Sequence, residues 1–275
     1  VYVLEAQGQK VVGAVGTWRL DTCRGIGQHP FETKIDPSGH LMFSSSYAAC
    51  VTLLSAIFDH HALLVSSGSK ALNFAIKMAC EKTGISAKDA SVIITEGAFG
   101  GRDLVADALS GNKKAPLVSY NKILTIPFYS AKKPTAARHA LEDILHSEMQ
   151  PCCFITELFQ GEGGFNAAPP EYFIPLFSMC RDAKVPILLD EMQTGCGRAG
   201  EWTLAERMNL HMFPDMFILG KLLPNTALLF REGFSADRAE ISETNPGGDE
   251  SRMQESLHIL TKLIYGRYIG PGRKI

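Results

Sequence analysis

The residue pattern predicts an α/β fold, a mostly parallel sheet flanked by helices, and three observations carry that prediction. Five short apolar runs recur along the chain, amphipathic stretches separate several of them, and each run stops at glycines or polar residues. Apolar runs that do not alternate belong to strands buried on both faces. Alternation of such strands with helices places them in one parallel sheet.

The first run is HALLVSSGS (61–69), and the stretch after it, 70–82, keeps Ala71, Phe74, Ala75, Met78 and Ala79 on one helical face. ASVIITEGAFGG (90–101) predicts the second strand and 135–147 an amphipathic helix. PCCFITELFQGEGG (151–164) is the third strand with its turn, followed by a helix over 171–183. VPILLDEMQTG (185–195) and DMFILGK (215–221) complete the set. Residues 224–250 lose periodicity and are expected to leave the sheet, with a last helix over 250–264. The predicted division is an N-terminal segment 1–40, a large α/β domain 41–233, and a connecting loop and helix 234–275.

Bulk properties narrow the function classes. Of the residues, 45% are hydrophobic and 20% charged, which excludes a disordered chain. The formal net charge of -2 comes without a basic block, so neither nucleic acid nor an anionic membrane finds an electrostatic footprint. The expected partners are small neutral or zwitterionic molecules. Seven scattered cysteines without CxxC spacing suggest neither a disulfide framework nor a metal site, and point to a reducing cytoplasm or mitochondrial matrix. No run approaches the ~18 apolar residues of a membrane span.

In sheets of this kind ligands sit beyond the carboxyl ends of the strands, and the chemically capable residues fall there. Asp190 follows VPILL, so its carboxylate needs a cation or a hydrogen-bonded role; a helix cap or an arginine pair would serve as well as a ligand nitrogen. Lys221 ends MFILG, where an amine either reaches for solvent or acts as a nucleophile with a depressed pKa. SSGSKA (66–71) is an ordinary serine cap or a phosphate cradle at a helix N-terminus. Phe99, among glycines in GAFGGR, packs in the core or lies flat on a planar ligand. Glu157 and Glu162 in ELFQGEGG are solvated loop acids or general acid/base groups. The glycine order in that segment lacks the spacing of a dinucleotide turn.

Taken together and in this order, these segments resemble the class III pyridoxal-phosphate aminotransferases of fold type I, over most of residues 25–265. GIGQHP (25–30) is similar to the family's glycine–His–Pro segment, SSGSKA to its SGSEA phosphate turn, and GAFGGR to its GAFHGR. FQGEGG, LLDEMQTGCGRAGE and PDMFILGK match almost position for position. Lys70 and Gly100 are departures, standing where the family has glutamate and histidine.

The resemblance implies the cofactor pyridoxal 5'-phosphate and a role for each residue. Asp190 would pair with the protonated pyridine nitrogen, Gln193 with the phenolic oxygen, and Lys221 would be the Schiff-base lysine and proton carrier, its amine partly buried. Gly68 and Ser69 would hold the phosphate, and Phe99 would stack on the ring. Thr244 in ETNPGGD looks like the threonine lent to a neighbouring subunit's phosphate, which implies a homodimer with shared active sites. Glu162 corresponds to a glutamate that pairs with an arginine and switches between donor and acceptor substrates. The implied reaction moves an amino group from an ω-amino acid of the 4-aminobutyrate, lysine or ornithine type to a 2-oxo acid such as 2-oxoglutarate. An Asp-to-Lys gap of thirty-one residues and the NLHMFPD segment look more like 4-aminobutyrate and lysine 6-aminotransferases than acetylornithine enzymes. The family's C-terminal small domain is expected to be largely absent from this chain. A non-catalytic paralogue serving as scaffold or partner subunit, and an aminomutase or racemase on the same scaffold, are the alternative readings.

Overall fold

A computed structural model describes residues 2–6, 9–13, 34–35, 41–42, 45–86, 88–101, 109, 122–235, 250–266 and 268–269. The first strands pair in twos, β1 (Tyr2–Ala6) with β2 (Gln9–Gly13) and β3 (Lys34–Ile35) with β4 (Leu41–Met42), all antiparallel. The body of the fold then runs α1 (Ser45–Phe58), β5 (His61–Val65), α2 (Gly68–Thr83), β6 (Ser91–Thr95), β7 (Lys122–Ile126), α3 (Ala136–Leu145) and β8 (Pro151–Thr156). It continues through β9 (Phe159–Gln160), β10 (Asn166–Ala167), α4 (Pro170–Asp182), β11 (Ile187–Glu191), α5 (Leu204–Arg207), β12 (Met216–Leu219), β13 (Thr226–Phe230) and α6 (Glu250–Tyr265).

Seven strands form one sheet in the order β5-β13-β12-β11-β8-β6-β7. β13 runs antiparallel to both neighbours, and the other described pairings in this sheet are parallel. The carboxyl ends of β5, β6, β8, β11 and β12 therefore line one edge, as the predicted α/β class requires. The runs SVIIT, PCCFIT and MFIL are buried at every position, which is why they do not alternate.

The core is the sheet and the helix faces laid on it. α2 buries Ala71, Leu72, Phe74, Ala75, Ile76, Met78, Ala79 and Cys80. It starts at Ser67, whose Oγ accepts the Lys70 amide at 3.3 Å, and stops at Gly84, where a φ of +71° suits a residue without a Cβ. On the α4 side, Phe154 of β8 meets Phe177, with ring centroids 6.2 Å apart, and Phe177 stacks on Phe173 at 5.6 Å.

Two parts depart from the sequence reading. Residues 226–230 stay in the sheet as β13, although 224–250 were expected to leave it. TALLF is a run of only five residues, entirely buried between β12 and β5, and the proline before it and Arg-Glu-Gly after it mask so short a signal. The sequence reading also passes over α1. That helix is apolar on most sides, because it packs against both β5 and α6, so its periodicity is weak. Cys50 of α1 reaches the Met253 carbonyl of α6 at 3.4 Å. The predicted last helix is α6, within a residue of its expected limits.

The described cysteines are free and buried. No helix among the described residues is long and apolar enough to cross a membrane.

Candidate functional site

The two adjacent acids at the end of VPILLDE separate because neighbouring residues of a strand point to opposite faces. Glu191 is fully buried. It accepts the amides of Leu204 at 3.0 Å and Ala205 at 2.8 Å, where α5 begins, and a hydrogen bond from the Thr194 hydroxyl. Glu191 is thus a structural clamp on the segment that carries Gln193. Asp190 faces the other side and accepts the Met192 amide at 2.9 Å through Oδ1. It is half-buried and lines a cavity. Burial pushes its carboxyl up to about 6, while the Met192 amide and the Lys221 ammonium pull it down.

That cavity, about 300 Å³, is lined by Gly68, Ser69, Phe99, Gly100, Gly101, Glu157, Asp190, Met192, Gln193 and Lys221. Its volume is at the small end of ordinary ligand pockets. Five strand ends contribute. β5 leads into Gly68 and Ser69, β6 into Phe99 and its glycines, β8 into Glu157, β11 into Asp190, Met192 and Gln193, and β12 into Lys221.

Lys221 sits at the centre of a three-residue turn closed by a 2.7 Å hydrogen bond from the Leu222 amide to the Gly220 carbonyl, with φ at +58°. A positive φ at a lysine is a strained conformation of the kind found at functional sites. The side chain is exposed at the cavity's mouth, which corrects the expected partial burial. At Gly220 an added Cβ would fall 2.5 Å from the Met192 sulfur, so the end of that methionine would have to move. The same methionine lies against Gly68, whose added Cβ would meet Met192 Cε at 3.3 Å. Met192 therefore wedges the helix-entry turn against the lysine turn, a role the sequence did not signal.

Gln193 crosses directly over the backbone of Gly161, where a Cβ would stand 1.7 Å from its Oε1. This accounts for the first glycine of QGEGG. Glu162, in the turn between β9 and β10, is exposed and is not among the residues lining this cavity, although Gly161 beside it lies under Gln193. Thr244 and GIGQHP lie outside the described residues. Glu157, weighed from the sequence but not placed in the site, is buried and lines the cavity. The order of strand ends was the signal that could have placed it, since Glu157 follows β8 as Asp190 closes β11.

The donor set defines what can be held. The first amides of α2 have no helical acceptor, and the helix dipole adds positive potential there, so Gly68 and Ser69 suit a phosphate. Asp190 calls for a cation or a protonated ring nitrogen at the other side. The same cavity wall carries an aromatic ring, a primary amine and the amide of Gln193. A flat, phosphorylated, nitrogen-containing aldehyde fits these groups, which satisfy its anion, its ring nitrogen and its carbonyl separately.

The class III aminotransferase family profile matches residues 33–250. Ornithine aminotransferase of Plasmodium falciparum is 31% identical over 196 residues, covering 69% of this chain and 45% of that protein. 5-Aminovalerate aminotransferase of Pseudomonas putida is 31% identical over 251 residues, covering 80% of this chain and 57% of the relative. Among solved structures, lysine aminotransferase from M. tuberculosis superposes with a TM-score of 0.68 at 22% identity, over 82% of this chain and 59% of that one, a likeness of fold. The chain spans about half the length of the curated relatives it matches. With the family profile covering most of its length, and the strand ends meeting as described, the chain belongs to the class III aminotransferases, a family of pyridoxal-phosphate-dependent transaminases.

Proposed function

We propose that this chain is the cofactor-binding part of a pyridoxal-phosphate-dependent transaminase that takes its amino group from the ω-carbon of an amino acid and passes it to a 2-oxo acid such as 2-oxoglutarate. The observation that carries the reading is the meeting of Lys221, Asp190 and the N-terminus of α2 around one cavity. The ornithine, lysine and 5-aminovalerate specificities of its relatives support an ω-amino donor. When bound, the cofactor supplies an electron sink for the carbon that loses a proton.

The chain's own residues do the rest. Gly68 and Ser69 hold the phosphate by their amides, and Phe99 covers one face of the ring. Asp190 keeps the ring nitrogen protonated, because an uncompensated carboxylate at that depth is unfavourable. Gln193, fixed over Gly161, donates to the ring's oxygen. Lys221 Nζ would anchor the cofactor and would serve as the base that takes the proton from the amino-bearing carbon of the substrate. Glu162 belongs to this reading as the acid that meets a substrate-side arginine, and Thr244 as a phosphate contact across a homodimer; the family resemblance supports both.

The test is spectroscopic and kinetic together. Purified protein with added pyridoxal phosphate should show a visible band that bleaches on adding 4-aminobutyrate, lysine, ornithine or β-alanine. Glutamate should then form from 2-oxoglutarate with at least one of them. A protein that never acquires the band contradicts the proposal.

A further inference from the structure

Glu157 is the first residue past β8 and is only 8% exposed, yet it lines the same cavity as Asp190 and Lys221. The last paired residues of β8 and β11 are Thr156 and Leu189, so Glu157 and Asp190 come next on adjacent parallel strands, roughly 5 Å apart. Its Oε2 accepts the Phe99 amide at 3.2 Å, and the Gly161 amide also donates to it. Those amides belong to the turn that carries the aromatic ring and to the turn under Gln193. Glu191 has its partners within the fold and does not line this cavity, whereas Glu157 opens onto it beside a second acid.

We propose that Glu157 is a positioning residue of the cofactor site: its carboxylate ties the Phe99 and Gly161 turns to the Asp190 side of the cavity and places a second acidic charge beside Asp190. The inference rests on the cavity holding pyridoxal phosphate. The charged groups facing Glu157 are Asp190 and Lys221. Burial, then the charge of Asp190, push the Glu157 carboxyl up to about 7, against the two amides and the Lys221 ammonium. Adjacent carboxylates resist ionising together, so the charge of Asp190 helps Glu157 keep its proton to higher pH. When that proton leaves, the negative charge facing the cofactor's protonated nitrogens increases, and their own deprotonation is postponed.

The test compares wild type with Glu157→Gln, which keeps shape and an acceptor for the Phe99 amide, and with Glu157→Asp as a second variant that keeps the charge. The first readout is the pH midpoint of the visible band of bound pyridoxal phosphate. Removing the charge should lower that midpoint by roughly one pH unit, and Glu157→Asp should restore most of the shift. The second readout needs no cofactor. A carboxyl whose folded pKa is raised contributes stability below its unfolded pKa and loses it as pH rises through the folded value. The thermal midpoint of wild type should therefore fall relative to Glu157→Gln between about pH 5 and about pH 8. Unchanged band midpoint and unchanged pH dependence of stability overturn the role of Glu157 while leaving the cofactor site standing. A wild-type protein that binds no pyridoxal phosphate at any pH overturns both this role and the cofactor site. A stability titration that still follows Glu157 would then show an acid pair without a cofactor duty.

Discussion

Replacing Glu191 by alanine is expected to destabilise the chain by about 3–5 kcal/mol. The carboxylate is 0% exposed and serves three donors, the Leu204 and Ala205 amides at 3.0 and 2.8 Å and the Thr194 hydroxyl. Alanine leaves all three without that acceptor, and each buried orphan costs about 1–3 kcal/mol. Part of this is offset because an ionised carboxylate is itself unfavourable there: burial pushes Glu191 up to about 7 despite its hydrogen bonds. For a chain of this size the loss corresponds to a fall in the thermal midpoint on the order of 10 °C. Glutamine, which retains one acceptor oxygen, should lose about half as much. The pH dependence has a definite sign. With its folded pKa raised, Glu191 stabilises most below the ordinary carboxylate range, and the benefit declines as pH rises through about 7. Thermal unfolding followed by circular dichroism should show the gap between wild type and Glu191→Ala widest near about pH 5 and narrower near about pH 8. A gap of less than about 2 °C, or one that widens with pH, would refute the clamp.

Three further perturbations have defined outcomes. Gly161→Ala pushes against Gln193 Oε1, 1.7 Å from the new Cβ, and should weaken pyridoxal phosphate binding by roughly tenfold in an equilibrium titration, the equivalent of one hydrogen bond. Phe154→Ala opens a cavity beneath Phe177 and should cost about 3–5 kcal/mol in urea unfolding, with the cofactor band retained in the folded fraction. Ser67→Ala removes the side-chain cap on the Lys70 amide and should cost about 1 kcal/mol, read as a drop of about 2–4 °C in the thermal midpoint.

Strands buried on both faces were legible because burial on two sides erases alternation and leaves unbroken apolar runs. β13 was not legible, since TALLF is short and its antiparallel pairing with both β5 and β12 is set by tertiary contacts far away in sequence. Asp190, Lys221 and the α2 turn could be read from residue type at the end of a run. Glu191 and Glu157 could not be sorted by type at all. Two acids in DE differ only in which face of the strand they take, and Glu157 gains its meaning from Asp190 on the next strand. Met192 gave no sequence signal because its importance lies in two glycines, Gly68 and Gly220, that leave room for its side chain. Glu162 is read from its motif alone, and it lies in an exposed turn directly after Gly161, over which Gln193 crosses.

The most direct test is chemical trapping of the amine opposite Asp190. Protein incubated with pyridoxal phosphate, reduced with borohydride and digested should carry the pyridoxyl label on Lys221. Asp190→Asn should lower the affinity for that labelling, since the ring nitrogen loses its counter-charge. Label on Lys70 or on any other lysine in place of Lys221, or labelling indifferent to Asp190→Asn, would contradict a cofactor held between these two side chains.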